Sequence, residues 1–256
     1  MHVPTRHKVI ANCAMLMLFG LLWYLFTRDQ SDRGSLMFPR PALVRDTFAS
    51  QWREILSYAF TTWYRVVIGL SLGAALGVTA GLAMTYNRVL YFLIDPVVEL
   101  IRPIHPVALT PFFILWLGLG NTSQLLLIAL GCFMVMAVST YVSISNISPI
   151  YLRAAQSLGA SKPHIYRSVV IPAMMPALVG GTRVALASAF ALTVAAEYLG
   201  AQGGLGFLIR NARTILHTET ILLAAMILGL ESLVTDQAIR LLFSHFTRWT
   251  HKPIEI

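Results

Sequence analysis

Arg153-Ala154-Ala155-Gln156-Ser157-Leu158-Gly159 is a short, basic, small-residue segment between long apolar runs, and residues 160–168 lead on to Val169-Val170-Ile171-Pro172. The chemistry open to such a segment is mechanical. Residues 150–158 predict a short helix, and Gly159 supplies the left-handed turn that ends it. Ser161 caps a second helix with Pro163 in its first turn, and Pro172 opens the next apolar run, where a missing N–H costs nothing. Ala154 and Ala155 flatten one surface, so 150–168 reads as a projection that a partner can grip. A second chemistry belongs to Glu197, Arg183 and Glu231, ionisable groups inside or at the ends of apolar runs. Charges at membrane depth are costly, which makes all three candidates for a solute pathway. Each also has a plainer reading: Glu197 as a solvated helix end, Glu231 as a group paired to an Arg or a neighbouring helix, Arg183 as the partner of Asp95, Glu99 or another acid. His105, between two prolines, reads as an interfacial histidine.

Catalytic constellations are missing from this pattern. There is no His-Glu-x-x-His and no metal-ligand spacing of Cys or His, so no metal site is expected. No Gly-x-x-x-x-Gly-Lys-[Ser/Thr] loop occurs either, so the chain is expected to bind no nucleotide itself. Cys13 and Cys132 both lie in apolar runs and read as small buried hydrophobes.

The elements that must carry these residues are membrane spans. With 57% hydrophobic and 12% charged residues and a mean hydropathy of +0.70, the chain reads as an integral membrane protein. Its net charge of +8 comes from basic residues at the ends of apolar runs, where they meet lipid headgroups, and not from a nucleic-acid-binding surface. The fold class is all-α and polytopic, a single transmembrane domain over 1–256 with about six spans: 9–27, 59–85, 107–117 with a preceding interfacial helix at 89–106, 124–143, 172–199 and 220–243. Residues 34–58 read as an aqueous loop ending in a short surface helix at 42–56. Asp95, Glu99 and Arg102 share one side of the 89–106 helix. In the second span Gly69, Gly73, Gly77 and Gly81 recur every fourth residue, a ladder that lets another backbone approach closely, within the subunit or across a dimer. Arg6, Lys8, Arg88, Arg153, Lys162, Arg167, Arg240, Arg248 and Lys252 fall on one side, against Arg28, Arg33, Arg40, Arg45 and Arg53 on the other. The positive-inside rule then puts both termini in the cytoplasm.

The spacing Ala-Ala, three residues, Gly, nine residues, Val169-Val170-Ile171-Pro172 resembles the cytoplasmic signature loop of binding-protein-dependent ABC importer permeases. Arg153 stands where that signature has glutamate, and Ile171 where it has leucine. Residues 94–103, Trp116-Leu117-Gly118-Leu119-Gly120, Ala196-Glu197 with Gly203-Gly204-Leu205-Gly206, and Arg248-Trp249 are similar to the taurine, alkanesulfonate and nitrate branch. The resemblance implies a type I importer fold whose coupling loop, with Arg153, Ala154, Ala155, Gly159, Ile171 and Pro172, meets a cytoplasmic ATP-binding subunit. Two copies of that subunit would carry the ATP and Mg. One docking loop per chain, against a two-ATPase motor, implies a second permease copy, as a homodimer or with a sister permease. The resemblance further implies an extracytoplasmic solute-binding protein, resting near Arg210 and Arg213, and residence in the bacterial inner membrane. The implied cargo is a small anionic solute such as a sulfonate, taurine, nitrate or a related organic acid. The rival classes are a secondary transporter or channel subunit without an ATPase, which would need broken helices and repeats, and an intramembrane hydrolase.

Overall fold

The computed structural model describes residues 5–28 and 38–246. Arg33, Arg248, Trp249 and Lys252 lie outside them, as do the side chains of Arg6, Lys8, Cys13 and Arg28. The described residues are helical almost throughout: α1 (Thr5–Arg28), α2 (Pro41–Tyr86), α3 (Arg88–Ile101), a 3-10 turn at Pro106–Leu109, α4 (Thr110–Leu117), α5 (Asn121–Ser145), α6 (Pro149–Ser157), α7 (Lys162–Ile165), a π turn at Tyr166–Val170, α8 (Ile171–Gly200), α9 (Leu205–Thr214) and α10 (Thr218–Phe246). Four stretches are long and apolar enough to cross a bilayer, 41–86, 121–145, 162–200 and 218–244, or five if the bent pair of 88–101 with 106–117 counts as one. The first expected span, 9–27, falls within α1.

Three expectations change. Residues 42–56 are not a separate surface helix, because they continue into the second span as one 46-residue helix, interrupted only by non-helical angles at Gln51 (φ −121°, ψ 17°). A straight helix of that length reaches about 70 Å, more than twice a hydrocarbon core of about 30 Å. Its first turns therefore extend beyond the span, packing Val44 and Ile55 against Leu223. Second, 107–117 is not a span on its own but half of a bent pair with α3. Thr110–Leu117 has eight residues, about 12 Å of helix, and folds back on α3 at 84°. Third, Pro172 stands in the first turn of α8 as expected, but α8 does not start a separate rod, since Val170 ahead of it is already helical and the rod runs from Lys162 to Gly200. The π turn at Tyr166–Val170 widens the backbone where the proline supplies no N–H and its ring crowds the preceding turn.

The core is the α2–α5–α8 layer. Val66, Leu70, Ile128, Cys132, Met136, Leu186 and Ala189 are buried in it, and α2 and α5 meet along the glycine ladder. A Cβ at Gly69 would lie 2.5 Å from Ile128 Cγ2, at Gly73 2.4 Å from the Ala129 carbonyl, at Gly77 2.7 Å from Met136 Cβ, and at Gly81 2.6 Å from Thr140 Cβ. The ladder thus faces a helix of its own subunit. Gly69-Leu70-Ser71-Leu72-Gly73 also spells Gly-x-Ser-x-Gly, the pattern of a nucleophile elbow, which sits on a strand-to-helix turn. Ser71 instead lies in mid-helix and donates its hydroxyl to the Val67 carbonyl at 2.7 Å.

Candidate functional site

At one end of the bundle α6 and α7 form the projecting pair. Pro149 stands at the start of α6, where the N–H it lacks has no helical partner to lose. The helix ends in a Schellman closure: Gly159, at φ +77°, donates its N–H to the Gln156 carbonyl at 2.9 Å, and Ala160 donates to Ala155 at 3.1 Å. The turn leaves Leu158 88% exposed, with Ile150 and Tyr151 also exposed. Arg153 and Ala154 are exposed and Ala155 half-buried. The second helix is tied to the end of α2: Lys162 lies over the Tyr86 ring and donates to the Tyr86 carbonyl, while Tyr86 and Tyr166 meet edge to face. The pair is thus joined to α2 through these contacts and to α8 through the continuous rod.

The other end is closed by a buried ionic cluster. Glu197, near the C-terminus of α8, has no exposed surface, which corrects the solvated helix end expected of it. One of its oxygens accepts from Arg65 Nη1 at 2.7 Å and the other from the Gly206 N–H at 2.9 Å. The Thr62 hydroxyl lies 2.9–3.0 Å from both and also accepts from the Leu205 N–H. Arg65 reaches the Asn121 Oδ1 through Nε and Nη2 at 3.1 and 2.7 Å, and the Gly203 carbonyl at 2.7 Å. Four separated segments, α2, the start of α5, the end of α8 and the 203–206 loop, are locked by this set. A buried pair is tolerable only when its remaining donors and acceptors are met, and here they are. Gly204 completes the fit: φ +107° and ψ 169° is a region essentially confined to glycine, and a Cβ there would lie 2.2 Å from a Glu197 oxygen. Arg65 was not among the residues singled out in the sequence. Its signal was plain, a lone cation inside an apolar run.

The remaining candidates are dispersed. Arg183 pairs with Asp236 of α10 at 2.7 Å, an acid that also binds Arg240 at 2.8 Å; Glu99 pairs with Arg102 on its own helix. Glu231 keeps one carboxylate oxygen buried without a hydrogen-bond partner, so the pairing expected of it is not found among the described residues. Arg210, expected to face water, is half-buried. It donates to the Ala201 carbonyl at 3.1 Å and to that of Tyr198 at 3.4 Å, capping α8. Arg213 is exposed and donates to the Tyr198 hydroxyl. Glu231 stands close enough to Glu197 to feel its charge, whereas Arg183 pairs with Asp236.

Comparison with known proteins gives a consistent picture. Residues 73–248 match the family described as the binding-protein-dependent transport system inner membrane component. The chain is 32% identical over 185 residues to the taurine transport system permease protein TauC of Escherichia coli (strain K12), covering 72% of this chain and 67% of that protein. It is 30% identical over 196 residues to the putative aliphatic sulfonates transport permease protein SsuC of Bacillus subtilis (strain 168), covering 77% and 71%. In structure it is similar to an inward-facing form of the methionine ABC transporter MetNI, with a TM-score of 0.62 at 19% identity over 75% of this chain and 97% of that one.

Proposed function

Because this chain belongs to the family of binding-protein-dependent transport inner membrane components, as a permease subunit of an ABC importer, we propose that it couples transport to a separate ATPase through residues 150–172. The observation that carries this is the projecting pair itself. A helix closed by a Schellman turn, with Ile150, Tyr151 and Leu158 exposed and its companion helix braced on Tyr86 and Tyr166, offers an apolar grip on a rigid lever. Arg153, Ala154, Ala155 and Gly159 form the grip, and Ile171 and Pro172 lie where the lever joins α8. The partner is an ATP-binding subunit in two copies, each holding ATP and Mg, on the cytoplasmic side together with both termini of this chain. A second permease copy completes the pathway in the inner membrane.

A solute-binding protein delivers cargo at the opposite end, beside Arg213 and the capped end of α8. The cargo is a small anion of the sulfonate, taurine or nitrate kind; the likeness to taurine and sulfonate permeases supports the sulfonates among these. The coupling test uses the complex reconstituted with its ATPase and binding protein. Gly159→Pro and Ala155→Arg should leave the permease inserted and abolish stimulation of ATP hydrolysis by loaded binding protein. Full stimulation in both variants would remove the loop from this role.

A further inference from the structure

A cavity of about 400 Å³ opens between the end of α3, the 3-10 turn, α5 and α8. Its polar lining consists of Arg102, His105, Ser139 and Ser188, its wall is apolar with Met134 and Val138, and no Asp or Glu among the described residues lines it. Arg102 is held only loosely. Its pair with Glu99 is 3.2 Å long, within one helix turn, with both side chains about 60% exposed, and such pairs contribute little. Asp95 and Glu99 border a separate recess of about 190 Å³ that shares Arg102 and Val138 with the cavity, and neither acid lines the cavity itself. A cation in a membrane protein that faces a cavity marks a solute path by default, and a guanidinium presents paired donors suited to an oxyanion.

We infer that this cavity is a solute site for a small organic anion, whose oxyanion head meets Arg102 and His105 with the Ser139 and Ser188 hydroxyls, while its apolar body lies on Met134 and Val138. The inference rests on reading the chain as an importer permease and narrows the cargo. An inorganic oxyanion such as nitrate would use the cationic rim but leave the apolar wall unfilled, whereas a short alkanesulfonate uses both. An anionic lipid has the same chemistry, a phosphate head and an apolar tail, and has to be told apart by experiment.

The test places a cysteine at the exposed wall residue Ala191 in a full-length Cys13→Ser, Cys132→Ala background, assembled with the ATPase in neutral detergent. Its rate of modification is compared for 2-sulfonatoethyl methanethiosulfonate, itself an ethanesulfonate, and the trimethylammonium-ethyl analogue, each relative to a free thiol in solution. The sulfonate reagent should be favoured about tenfold by the local cation. Arg102→Gln should erase that preference and Arg102→Lys keep it. Millimolar ethanesulfonate should slow the reaction, and added phosphatidylglycerol should not. A preference unchanged by Arg102→Gln, or protection by phosphatidylglycerol alone, overturns the site. Stimulation of ATP hydrolysis by loaded binding protein is read on the same complex. Stimulation with failed labelling sinks the cavity but leaves the importer reading standing, and absent stimulation sinks that reading while the labelling ratio still decides the site.

Discussion

The contact between Gly204 and Glu197 makes a quantitative double-mutant prediction. Glu197→Ala removes the carboxylate from a guanidinium whose side chain is 6% exposed. Breaking one partner of a buried pair costs about 3–5 kcal/mol, and the lower end applies because Arg65 keeps Asn121 and the Gly203 carbonyl. Gly204→Ala carries two penalties. The backbone at φ +107° and ψ 169° costs a residue with a Cβ about 1–3 kcal/mol, and the added methyl meets a carboxylate oxygen at 2.2 Å, which forces the cluster apart. In a Glu197→Ala background the second penalty disappears, because the atoms that would clash are gone. The double variant should therefore be less destabilised than the sum of the singles, with a coupling of about 0.5–3 kcal/mol. The assay is equilibrium unfolding of the purified permease in mixed micelles, followed by tryptophan fluorescence for all four members of the cycle. Additivity within about 0.5 kcal/mol, or a Glu197→Ala cost under about 1 kcal/mol, would refute the view that this cluster locks residues 203–206 to α2 and α8.

Two further predictions concern packing and docking. Gly77→Leu should lower the unfolding midpoint of the permease at every dilution, because its neighbours are Met136 and Phe133 of its own chain, whereas Gly229→Leu, with nothing within 4 Å, should be close to neutral; a concentration-dependent loss at Gly77 would place the ladder at an interface between copies. Arg213→Glu should weaken stimulation by loaded binding protein, more at low salt than at high, with basal hydrolysis unchanged. Arg210→Glu should also lower stability, since that side chain caps α8, and equal stabilities for the two variants would count against the cap.

What could be read from the sequence was local and periodic. Glycines four apart in an apolar run define one face of a helix whatever it packs against, so the ladder was visible while its partner was not. Gly159 was recognisable because a small basic helix followed by glycine and serine has few ways to end. The spans of α5, α8 and α10 follow from runs of adequate length. Apportioning 103–152 was harder: with no charge anywhere in it, the stretch fits two spans as well as a broken one, and the 84° bend at 102–105 depends on how Pro103 and Pro106 pack. Residues 42–56 looked like a surface helix because their amphipathic pattern differs from the apolar run that follows. A change of environment along a helix does not have to break it, and here it leaves only the distortion at Gln51.

The buried cluster shows where local signals fail. Taken locally, three glycines among the four residues 203–206 allow many conformations. In the fold the same glycines are required for the opposite reason: Gly204 and Gly206 leave no room for a side chain against Glu197, with a Cβ at Gly206 coming within 2.6 Å of the Val194 carbonyl, and each residue from 203 to 206 gives a backbone group or its missing Cβ to the cluster. The rule that flags an ionisable group at membrane depth pointed to Glu197, and applied evenly it points to Arg65 as well. What it cannot supply is the pairing of two residues 132 positions apart. That pairing also changes the role assigned to Glu197. A carboxylate with both oxygens engaged by Arg65, Thr62 and Gly206 has little capacity left for a passing solute, so the cluster ties that end of the bundle together, and the cation we propose for solute lies elsewhere, at Arg102.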